Sequence, residues 1–268
     1  MSRRGRPLAG FPATLKPATD GTPPAKALLR PQRLLHDAAR DAARLTPPSG
    51  LGLDSATVRE RMVQRLKASG ITGELLLAAF AAVPRHVFVD TALANQAYED
   101  TALPIGLAQT ISKPSVVARM LSLLLEGRQG PAPLGSVLEI GTGCGYQTAL
   151  LARLSRRVVS IERLQPLHGK ARENLAPFRS HHVRLVWGDG RRGHAPNAPY
   201  DHVISAAGGA ELPEAWIEQL AEGGRLVAPL HDPRAGGQVL LVLDKRNGSV
   251  TRRYLDAVHF VPLESGTG

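Results

Sequence analysis

From Ser136 onward the chain alternates between short apolar runs, largely β-branched, and longer stretches whose apolar residues recur at helical spacing. The short runs predict strands at 136–140, 157–161, 183–187, 201–205 and 224–230. The spaced stretches predict helices at about 145–155, 165–176 and 213–221. Near-continuous apolar strands in alternation with helices imply an α/β fold: a Rossmann-like, doubly wound, mostly parallel sheet covered on both faces. The C-terminal stretch GQVLLVLDKRNGSVTRRYLDAVHFVPL reads differently. Its Asn247-Gly248 pair separates two strand-like runs, which predicts closing antiparallel strands.

Ahead of the sheet, Val58, Met62, Val63 and Leu66 share one helix face, with Asp54 or Ser55 as a cap and Gly70 as a stop. Thr72 is placed to cap a second helix, GELLLAAFAAV, which Pro84 ends. A turn-rich stretch follows, RHVFVDTALANQAYEDTALPIGLAQTIS, and then Pro114 opens the helix of SVVARMLSLLL. Residues 1–53 have another texture, rich in Pro, Ala and Arg. One short helix is expected between Pro31 and Leu45, where Leu34, Leu35, Ala38, Ala42 and Leu45 repeat. The predicted organisation is a largely disordered basic extension at 1–53 and a folded domain at 54–268. Within that domain, 54–125 supplies helices and the turn-rich segment, and 134–268 a nucleotide-binding sheet.

Composition changes this picture in few places. The chain of 268 residues is 43% hydrophobic, enough for one large domain with an appendage. No apolar run is long enough to span a bilayer, and the N-terminus lacks the apolar core of a secretory signal, so no membrane partner is expected. The single cysteine, Cys144, forms no intrachain disulfide and fits a reducing, cytoplasmic setting. A net charge of +10 raises the question of nucleic acid. Residues 1–57 carry nine Lys/Arg against four acids, however, so half the excess sits in the extension. Aromatics are only 4%, and no basic patch interleaved with them exists to stack bases; no stable nucleic-acid partner is expected. The nine histidines show no metal-ligand spacing, so no metal is expected.

The richest stretch is SVLEIGTGCGYQTALLARL, from Ser136 to Leu154. Gly141, Gly143 and Gly145 form G-x-G-x-G between a strand and a helix, a loop that lets backbone approach a ligand closely. The ligand could be a dinucleotide, a bare phosphate or a nucleoside without phosphate. The Lys-Ser/Thr pair of a phosphate loop is missing. The dinucleotide fingerprint needs a glycine or alanine where Tyr146 stands. Glu162 ends the next strand, 21 positions after Gly141, where an acid accepts hydrogen bonds from ribose hydroxyls. Glu139 suits a cationic amino-acid end, and Asp189 of WGDG suits an adenine amine. Together these acids describe S-adenosylmethionine. A plainer reading makes Glu162 and Asp189 solvated strand-end acids. Cys144 is either a small filler or, at a helix N-terminus, a reactive thiol.

Upstream lies TALPIGLAQTISKPS, Thr101 to Ser115. LPIG..QTIS.P, then VLEIGTG.GYQTA, GDG, YD.VI and a terminal FVPL occur in one order, from about Val58 to Glu264. In these motifs the chain resembles the protein-L-isoaspartate O-methyltransferase family of class I S-adenosylmethionine-dependent enzymes. The resemblance implies methyl transfer to the free α-carboxylate of L-isoaspartyl residues in damaged proteins and peptides, followed by succinimide formation and partial return to aspartate. It makes Ser112 the catalytic residue, with Thr110 and Ile111 beside it in a closing segment. It places the cofactor on Gly141, Glu162, Arg163, Asp189 and Gly190, with Thr110 and Ile111 of the closing segment also counted as cofactor-binding; the loop reading adds Gly143 and Glu139. From the residues alone, Ser112 caps the helix at Pro114. Two alternatives stay open: a same-fold methyltransferase acting on another acceptor such as RNA, and a non-catalytic nucleoside-binding module. The chain departs from the family pattern at Ser115, where a larger aromatic or His is common. It departs also at SAAGGAELP, which replaces a Thr-Ala-Ala-Pro turn, and at Cys144, where Ser is common.

Overall fold

The computed structural model describes residues 56–126 and 134–268. The extension at 1–53, its expected helix between Pro31 and Leu45, and the Asp54/Ser55 cap lie outside the described residues. Helix α1 (Ala56–Ala68) buries Met62 and Leu66, and α2 (Glu74–Ala82) buries Leu76, Ala79 and Phe80. Thr72 is not the cap of α2. Gly73 takes the N-cap position without a side-chain bond, which leaves Thr72 one residue outside the helix.

The turn-rich stretch contains a hairpin that the sequence reading did not resolve. Strands β1 (Leu103–Gly106) and β2 (Gln109–Ile111) pair antiparallel, with Leu103 opposite Ile111. Leu107 and Ala108 make the turn, with φ of 53° and 56°. Two successive left-handed residues are the signature of the tight hairpin turn normally carried by Asn-Gly. Leu-Ala carries no such signal. Pro114 then opens α3 (Pro114–Glu126), as expected.

The main sheet is built from β3 (Leu134–Ile140), β4 (Ser155–Glu162), β5 (Val183–Trp187), β6 (Tyr200–Ser205), β7 (Leu220–Asp232), β8 (Gly237–Arg246) and β9 (Ser249–Val258). Its spatial order is β5-β4-β3-β6-β7-β8-β9. Pairing is parallel from β5 through β7, and β8 and β9 are antiparallel. Helices α4 (Tyr146–Leu154), α5 (Gln165–Leu175) and α6 (Glu214–Glu218) connect the parallel strands. The last is shorter than the spacing predicted, because Leu220 already pairs with Tyr200 in the sheet.

Strand alternation divides the core. Val137, Val158 and Val227 join one apolar cluster with Met120 of α3 and Leu150 of α4. Leu138, Val159 and Leu226 join another with Trp216 of α6. A partly buried ion pair ties layers together: the buried Arg225 donates to both carboxylate oxygens of the half-buried Asp244 (2.7 and 3.0 Å) and to the Leu123 carbonyl in the last turn of α3 (2.8 Å). Strand order reverses between β3 and β6. The crevice beyond the carboxyl ends of these two strands is the expected ligand site of such a sheet.

Candidate active site

The loop after β3 occupies that crevice. The Gly141 and Thr142 amides both donate to the Ile161 carbonyl at the end of β4 (2.9 and 3.2 Å). The Gly143 amide donates to Glu162 Oε2 (2.8 Å), and Glu162 Oε1 accepts from the Leu164 amide (2.9 Å). The acid that closes β4 therefore shapes the loop. Gly145 caps α4 at φ 92°, a left-handed conformation only glycine adopts without strain, and a Cβ there would lie 3.0 Å from Leu175 Cδ1. Gly190 is required by closeness: a Cβ would lie 2.6 Å from Ile140 Cγ2.

Eight of the expected residues converge on one cleft: Thr110, Ile111, Ser112, Gly141, Gly143, Glu162, Arg163 and Gly190 all line it. Glu139 and Asp189 do not. Glu139 is fully buried behind the loop, between α4 and β4, where it accepts hydrogen bonds from Thr148 Oγ1 and Ser160 Oγ. Its Oε1 has no partner, and burial pushes its carboxyl up to about 7. The reason is geometric: its side chain leaves β3 beneath the loop, toward α4. Asp189 spends its carboxylate on backbone, accepting from the Arg191 amide (2.9 Å) and the Gly266 amide near the C-terminus (2.8 Å).

Ser112 does not cap α3. Asp100 does, from the preceding turn-rich segment, accepting from the Ser115 amide (2.8 Å) and the Ser115 hydroxyl (2.7 Å). That pairing also accounts for Ser115 itself. Ser112 lies at a junction. With Thr110, Ala206 and Val261 it lines both the first cleft and a second groove formed by Asp100, Lys113, Val116, His259 and Phe260.

The residue-level reading missed the C-terminal contribution. Val261, Pro262, Leu263 and Glu264 line the first cleft. They are brought there by the Gly208-Gly209 turn: the Gly208 amide donates to the Val261 carbonyl and the Leu263 amide to the Gly208 carbonyl, both at 2.8 Å. The terminal FVPL was the available signal, but nothing in it names its partner in space. Gln147 and Tyr146 of α4 were missed as well. Cys144 also lines this cleft; it is buried, with its thiol pushed up to about 11 by burial, which fits a filler and not a reactive nucleophile.

The charge of the first cleft decides between ligand classes. Among the described residues Arg163 is the one cation lining it, and Glu264 neutralises it (Nη1 to Oε2, 2.6 Å). The remaining lining acid is Glu162. Among the described residues a pyrophosphate would meet no unpaired cation, whereas a nucleoside with a cationic sulfonium and amino group meets a carboxylate and a glycine cradle. The residues present therefore fit S-adenosylmethionine.

Comparisons with known proteins agree. The family model for protein-L-isoaspartate(D-aspartate) O-methyltransferase matches residues 57–268. A protein-L-isoaspartate O-methyltransferase of Methylibium petroleiphilum is 61% identical over the full length of both chains. One of Burkholderia vietnamiensis is 49% identical over 95% of this chain and 84% of its own. Among solved structures, a protein-L-isoaspartate O-methyltransferase superposes with a TM-score of 0.68 at 28% identity, covering 78% of this chain and 67% of that one. A Plasmodium falciparum structure of the same description, in complex with S-adenosyl-L-homocysteine, shares the fold with a TM-score of 0.68 at 24% identity, over 77% of this chain and 98% of that one.

Proposed function

The chain belongs to the protein-L-isoaspartate(D-aspartate) O-methyltransferase family, and from that membership we propose how its residues share the reaction. The enzyme transfers a methyl group from S-adenosylmethionine to L-isoaspartyl residues in protein repair. The folded domain at 54–268 carries the whole activity. Glu162, Gly141, Gly143, Arg163 and Gly190 hold the cofactor in the first cleft, with Thr110 and Ile111 closing on it from β2. Asp189 acts one step back, through the Gly190 turn it caps, and Glu139 supports the loop from beneath.

Bound there, S-adenosylmethionine supplies a sulfonium methyl group. The acceptor is a free α-carboxylate, ionised at neutral pH, so the protein need not provide a general base. Its work is to position an anion against a cation and to keep water out. Water stabilises separated charges more than the dispersed charge of methyl transfer, so exclusion and alignment carry most of the acceleration. The β1–β2 hairpin is the lid. Its Ile105 and Ile111 present apolar side chains to the cleft, and Ile105 Cδ1 lies 3.3 Å from where a Cβ on Gly143 would be. Ser112 donates its hydroxyl to the acceptor carboxylate and orients it; it is not a nucleophile. The first turn of α3 adds a favourable field for that anion.

The observation that carries this reading is the position of Ser112, on the wall shared by the nucleoside cleft and the second groove. The second groove is the acceptor site. A single buried cysteine suits a cytoplasmic enzyme, and among the described residues no helix is long and apolar enough to cross a membrane. The test is methyl transfer from labelled S-adenosylmethionine to paired peptides carrying isoaspartate or aspartate at one position. Strong preference for isoaspartate is expected; equal labelling of both, or of neither, would overturn the proposal.

A further inference from the structure

The acceptor groove carries a charge pattern that the transfer chemistry does not need. Among the described residues its charged or titratable lining residues are Asp100, Lys113 and His259. Both oxygens of Asp100 already accept from Ser115, and its charge interacts with the buried Arg85 guanidinium. Lys113 adjoins Ser112, is exposed, and makes no ion pair or side-chain hydrogen bond among the described residues. His259 stands on the other side of the groove, next to Phe260, with its ring exposed and likewise without a hydrogen-bond partner among the described residues. The neighbouring pair Arg119–Asp256 (3.0 Å) neutralises itself and does not line the groove. Among the described residues the groove thus offers one ammonium without an ion-pair partner, next in the chain to the carboxylate-orienting serine, one imidazole on the opposite side, and one carboxylate whose two oxygens are already engaged.

We infer that Lys113 and His259 are specificity-determining residues that read the charge beside the isoaspartyl linkage. They favour acceptors with an acidic neighbour over acceptors with a basic one. The inference rests on the isoaspartyl reading above. Reach supports it: one residue of extended acceptor backbone spans about 3.3–3.6 Å. A neighbour's side chain at an acceptor held by Ser112 therefore comes within range of the adjoining lysine. Lys113 supplies the charge. His259 supplies a hydrogen-bond donor across the groove to the same carboxylate. Because both are solvated, the effect is modest and screened by salt. A ratio of about threefold in kcat/KM between otherwise identical acidic- and basic-flanked peptides is the scale of an exposed ion pair.

The test uses the full-length enzyme and isoaspartyl peptides with Glu, Ala or Lys on either side of the linkage. Methyl transfer is read as kcat/KM at low and high ionic strength. Wild type should prefer a Glu-flanked over the matching Lys-flanked peptide by about threefold at low salt, with the ratio falling toward one at high salt. Lys113→Met should bring the ratio close to one, Lys113→Glu should invert it, and His259→Gln should reduce it. A merely structural lysine would lower both rates together and leave the ratio where it was. An unchanged ratio in Lys113→Glu, or a wild-type ratio at or below one, overturns the inference. The Ala-flanked peptide and its aspartyl twin separate the two levels. If isoaspartate is preferred there but the charge ratio does not respond to Lys113, only this inference falls; if isoaspartate is not preferred, both fall.

Discussion

Replacing Glu139 by glutamine should flatten the pH dependence of stability between pH 4.5 and about 7. In the native protein this carboxyl is fully buried, and its proton is held up to about pH 7 against an ordinary value of 4.5. Desolvation is the main cause; the hydroxyls of Ser160 and Thr148 oppose it only in part. The folded state therefore binds the proton more tightly than the unfolded chain does. The resulting stabilisation is complete below pH 4.5, declines as pH rises, and is gone above about 7. Over pH 5 to 8 the loss is about 2–3 kcal/mol, taking about 1.4 kcal/mol per tenfold change in proton affinity. Glutamine can still accept from Ser160 and Thr148, but its amide points where Glu139 Oε1 has no partner. That adds a cost of about 1–3 kcal/mol at every pH, an offset without slope. Urea unfolding followed by tryptophan fluorescence at pH 5, 6, 7 and 8 separates the two. The difference between wild type and variant should drift by about 2–3 kcal/mol across the series in favour of the variant. Parallel curves would refute the assignment of a buried, protonatable carboxyl. Calorimetry with the cofactor at pH 8 gives a second check. Affinity should change by no more than about threefold, because the side chain is off the cleft wall; a loss of a hundredfold or more would put Glu139 back in contact with the ligand.

Ser112→Ala should lower kcat by about ten- to a hundredfold while cofactor affinity moves by less than about threefold, measured by methyl-transfer kinetics and calorimetry; the reverse pattern would make the serine architectural. Gly145→Ala, at a positive φ and 3.0 Å from Leu175, should cost about 1–3 kcal/mol in urea unfolding. Gly169→Ala in α5, where a Cβ meets nothing within 4 Å, should gain about 0.5–1 kcal/mol; the same sign for both would contradict the geometry. Asp100→Ala should destabilise by about 1 kcal/mol through loss of the α3 cap, and an unchanged urea midpoint would show that the cap is idle.

Much of this molecule could be read along the chain. The strands around the switch point are short, nearly continuous apolar runs, and such runs have few other uses. Asn247-Gly248 announced the β8–β9 hairpin because its two left-handed residues, at φ 51° and 72°, are those this pair tolerates. The β1–β2 hairpin was invisible for the same physical reason: Leu107 and Ala108 adopt that geometry without the residues that normally signal it. The cap of α3 could not be found either, because Asp100 lies 15 residues before the amide it accepts from, while Ser112, one residue outside the N-cap position, was the nearest hydroxyl ahead of Pro114.

Local pattern was enough to establish the sheet, the glycine loop, the acid at the end of β4 and the kind of ligand they suit, because each depends on neighbours a few residues away. Packing alone decided the rest. It placed Glu139 beneath the loop and turned Asp189 toward the chain's own amides. It freed Ser112 from capping, and it returned the C-terminal segment to the mouth of the cleft. Side-chain direction and long-range pairing depend on where distant segments meet, and nothing in the spacing of residues along one strand or one turn encodes that meeting.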